Sequence, residues 1–246
     1  AIIVPPSLTA RAYLLADLET GKILASQELE TIYPIASITK LMTALVALET
    51  IDQTSLVTVT ADALATQGDA SGLTLGERLP AGDLLYPLLL ESSNDVAEML
   101  ARAYGREAFI ELMNKKAEAL GLNQTFFTDP SGLDEGNRAT VHDLFRFVDY
   151  LYQHEYQLLT LTQLSQKRRG DHLWLNHNHL AKTAGYLGGK TGQTVLARET
   201  AVTLLDAPLG NGSQRRVAII LLQSNDRDAD TATLLNYLPL VLADHS

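Results

Sequence analysis

The chain has 246 residues and a formal charge of −10, with 46% hydrophobic and 20% charged residues. That is the composition of a globular protein long enough to bury a substantial core. An acidic balance of this size argues against nucleic-acid binding, which needs a basic face, and against unaided attraction to an anionic membrane surface. The lack of cysteine excludes disulfides, zinc–thiolate sites and cysteine catalysis, and it suits an oxidising compartment.

The N-terminal segment Ala1-Ile2-Ile3-Val4-Pro5-Pro6 has neither the basic start nor the long apolar stretch of a leader peptide. If the protein is exported, its leader is expected to have been removed already. Residues 12–29 read as a hairpin, two apolar runs flanking a turn at Glu19-Thr20-Gly21. Residues 37–51 read as a buried helix, apolar on most sides, and 56–60 as a short strand. The pattern is then mostly helical over 81–90, 93–104, 106–120 and 140–153. Gly121, Asp129-Pro130-Ser131-Gly132 and Gly136 punctuate that stretch as turns. Beyond Trp174 the pattern becomes β-rich at 200–205 and 216–223, and an apolar helix is expected over 232–242. Strands at both ends with helices between them predict an α+β fold, an antiparallel sheet built from the N- and C-terminal segments with a helical insert. One catalytic domain is expected over 1–246, with a mainly helical subdomain at about 62–165 and no second all-β domain. No apolar run is long enough to span a bilayer. No basic amphipathic tail follows Leu242, so no membrane anchor is expected.

Three short motifs carry chemistry. In Ser37-Ile38-Thr39-Lys40 a serine and a lysine lie one helical turn apart, on one face of a helix start. An amine so placed takes the hydroxyl proton and turns a weak nucleophile into a useful one, provided burial or a second cation lowers its pKa. Ser92-Ser93-Asn94 supplies a hydroxyl for proton relay and an amide that holds Lys40. Lys190-Thr191-Gly192, after Tyr186-Leu187-Gly188-Gly189, reads as an edge strand along which an extended substrate lies. There Lys190 is the candidate second cation and, with Thr191, a partner for a substrate carboxylate; Gly192 admits the substrate backbone. Strict alternation along a strand would put Thr191 on the opposite face from Lys190. Each motif alone is ordinary, a helix start or a turn. The three in this order are the signature shared by penicillin-binding proteins and class A β-lactamases.

The chain resembles the low-molecular-mass penicillin-binding proteins, the serine D-alanyl-D-alanine carboxypeptidases and endopeptidases. The likeness extends through Pro34-Ile35-Ala36-Ser37, Gly76-Glu77-Arg78, Ser92-Ser93-Asn94-Asp95, Asp129-Pro130-Ser131-Gly132-Leu133 and Gly188-Gly189-Lys190-Thr191-Gly192-Gln193-Thr194, covering roughly residues 10–225. It implies the penicillin-binding protein/β-lactamase-like transpeptidase fold. It also implies an acyl-enzyme on Ser37, proton acceptance by Lys40, assistance from Ser92 and Asn94, and carboxylate binding at Lys190. Thr191, Gly192 and Gln193 would line the substrate, the backbone N–H groups of Ser37 and Gln193 forming an oxyanion hole. The reaction implied is cleavage of D-Ala–D-Xaa bonds in peptidoglycan stem or cross-link peptides, with β-lactams as covalent inhibitors. No cofactor or metal is implied, and the location is periplasmic or otherwise extracytoplasmic. One departure is Val195-Leu196-Ala197-Arg198, which lacks the Ala-Gly-Tyr common in relatives and bears on the pocket edge.

Other readings are weaker. A class A β-lactamase needs a carboxylate for deacylation, and Glu118-Ala119-Leu120-Gly121-Leu122-Asn123 has one residue too many for E-x-x-L-N; it reads better as a helix ending at Gly121. His172, His177 and His179 lack an H-E-x-x-H partner and read as solvated loop histidines rather than zinc ligands. A P-loop ending at Gly189-Lys190-Thr191 fails because Ala184 occupies its first glycine position, and Gly68-Asp69-Ala70-Ser71-Gly72 supplies no nucleophile elbow. A non-catalytic penicillin-binding or muropeptide-sensing module remains the alternative from another class.

Overall fold

The computed structural model describes residues 6–68, 71–209 and 212–243. The first five residues, which bear on the leader expectation, and Asp69 and Ala70 lie outside that range. Strand β1 (Ala12–Asp17) turns back into β2 (Ile23–Gln27). Asp17 holds this turn by accepting hydrogen bonds from the backbone of Glu19 and Thr20, and Gly21 takes the positive φ it requires. After the two-residue β3 (Tyr33–Pro34), one 3₁₀ turn (Ala36–Ile38) feeds α1 (Thr39–Thr50). There follow β4 (Leu56–Thr58), α2 (Ala61–Leu64), β5 (Arg78–Pro80), α3 (Ala81–Leu90), α4 (Asn94–Tyr104) and α5 (Arg106–Ala119). Next come β6 (Arg138–Ala139), α6 (Val141–His154), α7 (Tyr156–Gln163), β7 (Gln166–Arg169) and β8 (His172–Leu175). The chain then runs through β9 (Tyr186–Thr194), β10 (Arg198–Pro208), β11 (Gln214–Ser224) and α8 (Arg227–Ala243).

The main sheet has the order β2-β1-β11-β10-β9 and is antiparallel throughout. Chain ends therefore meet in its middle, Leu14 opposite Ile220 and Ala16 opposite Ala218. This is the α+β arrangement read from the sequence, with β9 as the open edge. Both faces are covered. Leu14, Val202, Leu204, Ile220 and Leu222 join the helical core, while Tyr13, Leu15, Leu205, Ile219 and Leu221 meet Leu234 and Leu238 of α8. A strand buried on both sides has no need of polar alternation, which is why residues 217–222 are apolar without a break.

Helix α1 is buried from Thr39 through Ala47, with α3, α4 and α5 around it. A helix apolar on all sides belongs in the centre of a core, and this one carries the first motif into the protein interior.

Several elements escape the sequence pattern, α2, the β7–β8 hairpin and α7 among them. Helix α2 is only four residues long and is fixed by Thr60, whose side chain accepts from the Ala63 N–H. The β7–β8 hairpin has a first strand, Gln-Lys-Arg-Arg, with no apolar alternation to announce it. Helix α7 is a short segment docked beside β9. Helix α8 also begins five residues before the apolar stretch, where Asp228 and Asp230 suit the positive end of a helix dipole. The histidines need correction too. His172 is in β8, stacks on Trp174 and lies 2.5 Å from Glu77 Oε1, and His179 opens a 3₁₀ turn. His172 is thus no solvated loop residue, whereas His179 and His177 are both exposed, His177 in a loop at the rim of the cleft described below.

Candidate active site

Ser37 sits on the 3₁₀ turn that introduces α1, and the turn is held in an unusual conformation. Ala36 has φ +48°, a region costly for any residue with a Cβ. Two glycines enclose it. A Cβ on Gly132 would lie 2.0 Å from Ala36 O, and one on Gly192 would lie 2.6 Å from Ser37 N. The approach that Gly192 permits in the structure is thus that of the nucleophile's own turn.

Lys40 follows one turn later with no exposed surface. Its Nζ lies 2.9 Å from Ser37 Oγ, 2.7 Å from Asn94 Oδ1 and 2.5 Å from the Ser131 carbonyl oxygen. Burial pushes its pKa well below the usual lysine value, and the nearby Lys190 pushes it further down, against a smaller upward pull from Asp129. In the neutral amine two N–H groups serve Asn94 and Ser131, and the lone pair is left facing the Ser37 hydroxyl.

Asn94 is the first residue of α4, and its amide donates to the Gln67 carbonyl at 2.7 Å, which turns Oδ1 toward Lys40. Ser92 precedes that helix with φ +62°. Its Oγ accepts from Lys190 Nζ at 2.9 Å, and the same ammonium donates to Thr191 O at 2.8 Å. Lys190 is also enclosed, and burial first, then the Arg227 guanidinium, brings its pKa down to about 7.

Ser37, Ser92, Lys190, Thr191, Gly192 and Gln193 line one cleft of about 230 Å³, so the three motifs converge. Larger surface cavities, among them two of about 650 and 450 Å³, lie elsewhere among the described residues and share none of these residues. Glu118 lines the second of them, away from Ser37, and its helix ends before Gly121 at φ +70°.

Sequence reasoning missed three participants. Ser131 acts through its carbonyl, which every residue type possesses, although the Asp129-Pro130-Ser131-Gly132 segment marks the place. Arg227 lines the cleft and donates to Gly192 O at 2.8 Å; it stands at the start of α8, and nothing local in the sequence points from there to Ser37. His177 completes the rim beside Glu91.

The sequence profile of the D-alanyl-D-alanine carboxypeptidase family, peptidase S11, matches residues 2–222. The chain belongs to this family. A D-alanyl-D-alanine carboxypeptidase of Mycobacterium tuberculosis is 36% identical over 207 residues, covering 80% of this chain and 70% of that one. A D-alanyl-D-alanine endopeptidase of Pseudomonas aeruginosa is 35% identical over 158 residues, 62% of this chain and 50% of that one. The crystal structure of a D-alanyl-D-alanine carboxypeptidase from Mycobacterium tuberculosis superposes with a TM-score of 0.85 at 31% identity, over 96% of this chain and 94% of that one. The architecture is that of the penicillin-binding, DD-peptidase fold, and the chain is by family a serine-type DD-peptidase.

Proposed function

We propose that the protein cleaves D-Ala–D-Xaa amide bonds of cell-wall peptides through an acyl-enzyme on Ser37. The observation that carries this reading is Lys40, wholly buried, 2.9 Å from Ser37 Oγ and driven toward its neutral form. The amine takes the Ser37 proton as Oγ attacks the carbonyl, and the backbone N–H groups of Ser37 and Gln193 receive the developing oxyanion. The tetrahedral intermediate then expels the C-terminal D-amino acid. Its amine needs a proton, which is the one Lys40 took from Ser37, returned by way of the Ser92 hydroxyl. The resulting Ser37 ester is hydrolysed by water, which restores the hydroxyl and the neutral Lys40.

Substrate selection follows from the other wall. Lys190 spends two of its three donors on Ser92 and Thr191, leaving one toward the cleft, and Arg227 adds a second cation there. This arrangement suits a free terminal carboxylate, the group that a D-Ala-D-Ala terminus and a penicillin both present. The open edge of β9 suits an extended peptide. Peptidoglycan peptides are then the substrates, β-lactams the covalent inhibitors, and the location extracytoplasmic. Among the described residues no helix is long and apolar enough to cross a membrane.

The test is intact-protein mass spectrometry and peptide mapping after incubation with benzylpenicillin, alongside release of D-alanine from a D-Ala-D-Ala peptide. An adduct on Ser37, lost in Ser37→Ala, together with D-alanine release supports the reading. An adduct without turnover identifies a binding module, rapid penicillin loss without an adduct identifies a β-lactamase, and neither overturns the reading.

A further inference from the structure

Near Lys40, in the segment whose Ser131 carbonyl the amine touches, lies a buried carboxylate for which the proposed mechanism has no use. Asp129 is 7% exposed, and five donors converge on it. Its Oδ1 accepts from Ser131 N at 2.5 Å, Ser131 Oγ at 2.7 Å and Gly132 N at 2.7 Å. Its Oδ2 accepts from Asp134 N at 2.7 Å and Asn137 Nδ2 at 2.7 Å. A carboxylate in this position folds the backbone of residues 129–134 around itself.

Several of the folded segment's further contacts belong to the nucleophile helix and its turn. Ser131 O accepts from Lys40 Nζ at 2.5 Å, and Pro130 O accepts from Thr43 Oγ1, one turn further along α1, at 2.6 Å. Gly132 lies where any Cβ would strike Ala36 O. Behind the segment, Asn137 O accepts from Ile35 N at 3.0 Å, just ahead of the same turn.

We propose that Asp129 is a positioning residue for Lys40: by folding residues 129–134 it sets the Ser131 carbonyl against the amine, and its charge opposes that of Lys190 there. The proposal rests on Lys40 being the base that activates Ser37. The role is not that of a helix cap or a surface ion pair. The charged groups around Lys40 are Lys190 on β9, which pushes its pKa down, and Asp129, which pulls it up. Those around Asp129 are Lys40 on α1 and Arg106 on α5, whose guanidinium feels the carboxylate. Burial alone would raise the pKa of Asp129, yet hydrogen bonds from Ser131, Asp134 and Gly132 bring it below the ordinary carboxylate value, so it stays charged at working pH. Burial does most to lower the pKa of Lys40, and the charges of Lys190 and Asp129 then adjust, in opposite directions, the pH at which it becomes a base.

The experiment is the rate of Ser37 acylation by benzylpenicillin as a function of pH, with each rate normalised to the fraction of protein that can be acylated. Failure of the wild-type protein to acylate at Ser37 would sink the parent reading, whatever the variants do. In Asp129→Asn the rising limb should move to lower pH by about one unit, since an upward influence on Lys40 is gone. The plateau should fall on the order of tenfold to a hundredfold as the carbonyl loses its register. A plateau that falls with the rising limb unmoved would show a merely structural carboxylate and overturn the proposal. Thr43→Val keeps every charge and removes the tie to Pro130, together with the longer bond to Thr39 O at 3.4 Å. It should lower the plateau with the limb unmoved, and an unchanged plateau overturns the proposal. That second variant decides the matter should Asp129→Asn not fold.

Discussion

Gly192 and Ser37 are in such close contact that one added methyl group has nowhere to go. It would sit 2.6 Å from the Ser37 nitrogen, 2.8 Å from Thr200 Oγ1 and 2.9 Å from Ala36 Cβ. All three neighbours are backbone or fully enclosed groups, so relief requires β9 to move away from the nucleophile turn. Gly192→Ala should therefore lower acylation by about a hundredfold, the scale of a 1 Å misplacement. Acylation kinetics together with thermal melting check it, and wild-type acylation rates would refute the clamp.

The two buried lysines predict opposite limbs in the pH profile. Lys40 acts as the neutral amine, so activity rises with pH through its lowered pKa. Lys190 binds a carboxylate as the ammonium, so its contribution is present below its pKa of about 7 and declines above it. The free enzyme's kcat/KM for a peptide with a free terminal carboxylate should fall on the alkaline side of about pH 7. With the carboxylate amidated, that falling limb should vanish while the rising limb stays.

Arg227 tunes that limb as well as lining the cleft. Its charge is one cause of the lowered Lys190 pKa, so its removal lets the pKa climb. Arg227→Gln should shift the falling limb to higher pH, while raising KM for free-carboxylate substrates more than for blocked ones. Equal KM increases on both substrates would exclude it from carboxylate recognition.

Lys190 is costly to the fold it sits in. An unfolded chain binds the Lys190 proton up to the ordinary lysine pKa, whereas the folded protein releases it at about 7. Between those values the unfolded state holds more protons, so stability rises with pH. Lys190→Met, which removes the charge and keeps most of the apolar volume, should raise the melting temperature at pH 6 by a few degrees, since 1 kcal/mol is worth roughly 2–4 °C at this size. It should also abolish discrimination in favour of a free carboxylate. The gain should shrink as the pH is raised toward 10, where Lys190 is neutral in the native protein.

Residue types and their spacing made the inner ring of the site legible. Ser37, Lys40, Ser92, Asn94 and the Lys190–Gln193 strand are side chains or strand positions whose chemistry shows in their letters; the structure brings Ser37, Ser92 and the strand to one cleft, with Lys40 bonded to Ser37 and to Asn94. What stayed hidden acts through features with no letter. Ser131 serves Lys40 with a backbone oxygen, and Gln67 turns Asn94 with another. Arg227 is brought in by the path of β11 and α8, a matter of tertiary placement alone. The fold divides the same way. An unbroken apolar run announced β11, and an all-round apolar helix announced α1, because both are buried from every side. The polar first strand of the β7–β8 hairpin and the single capped turn of α2 gain their structure from neighbours rather than from their own pattern.

The meeting of the chain ends inside one sheet also governs when the enzyme comes into being. Ser37, Lys40 and Ser92 leave the ribosome well before β9, which is held in place through β10 and β11, and β11 pairs in turn with β1. Such distant pairings form late, after the loop-closure entropy between them has been overcome. Until then a nascent chain has its serine but neither the second cation that lowers the base nor the strand on which a substrate would lie. Reactivity at Ser37 is thus expected only once the last strands of the sheet have paired.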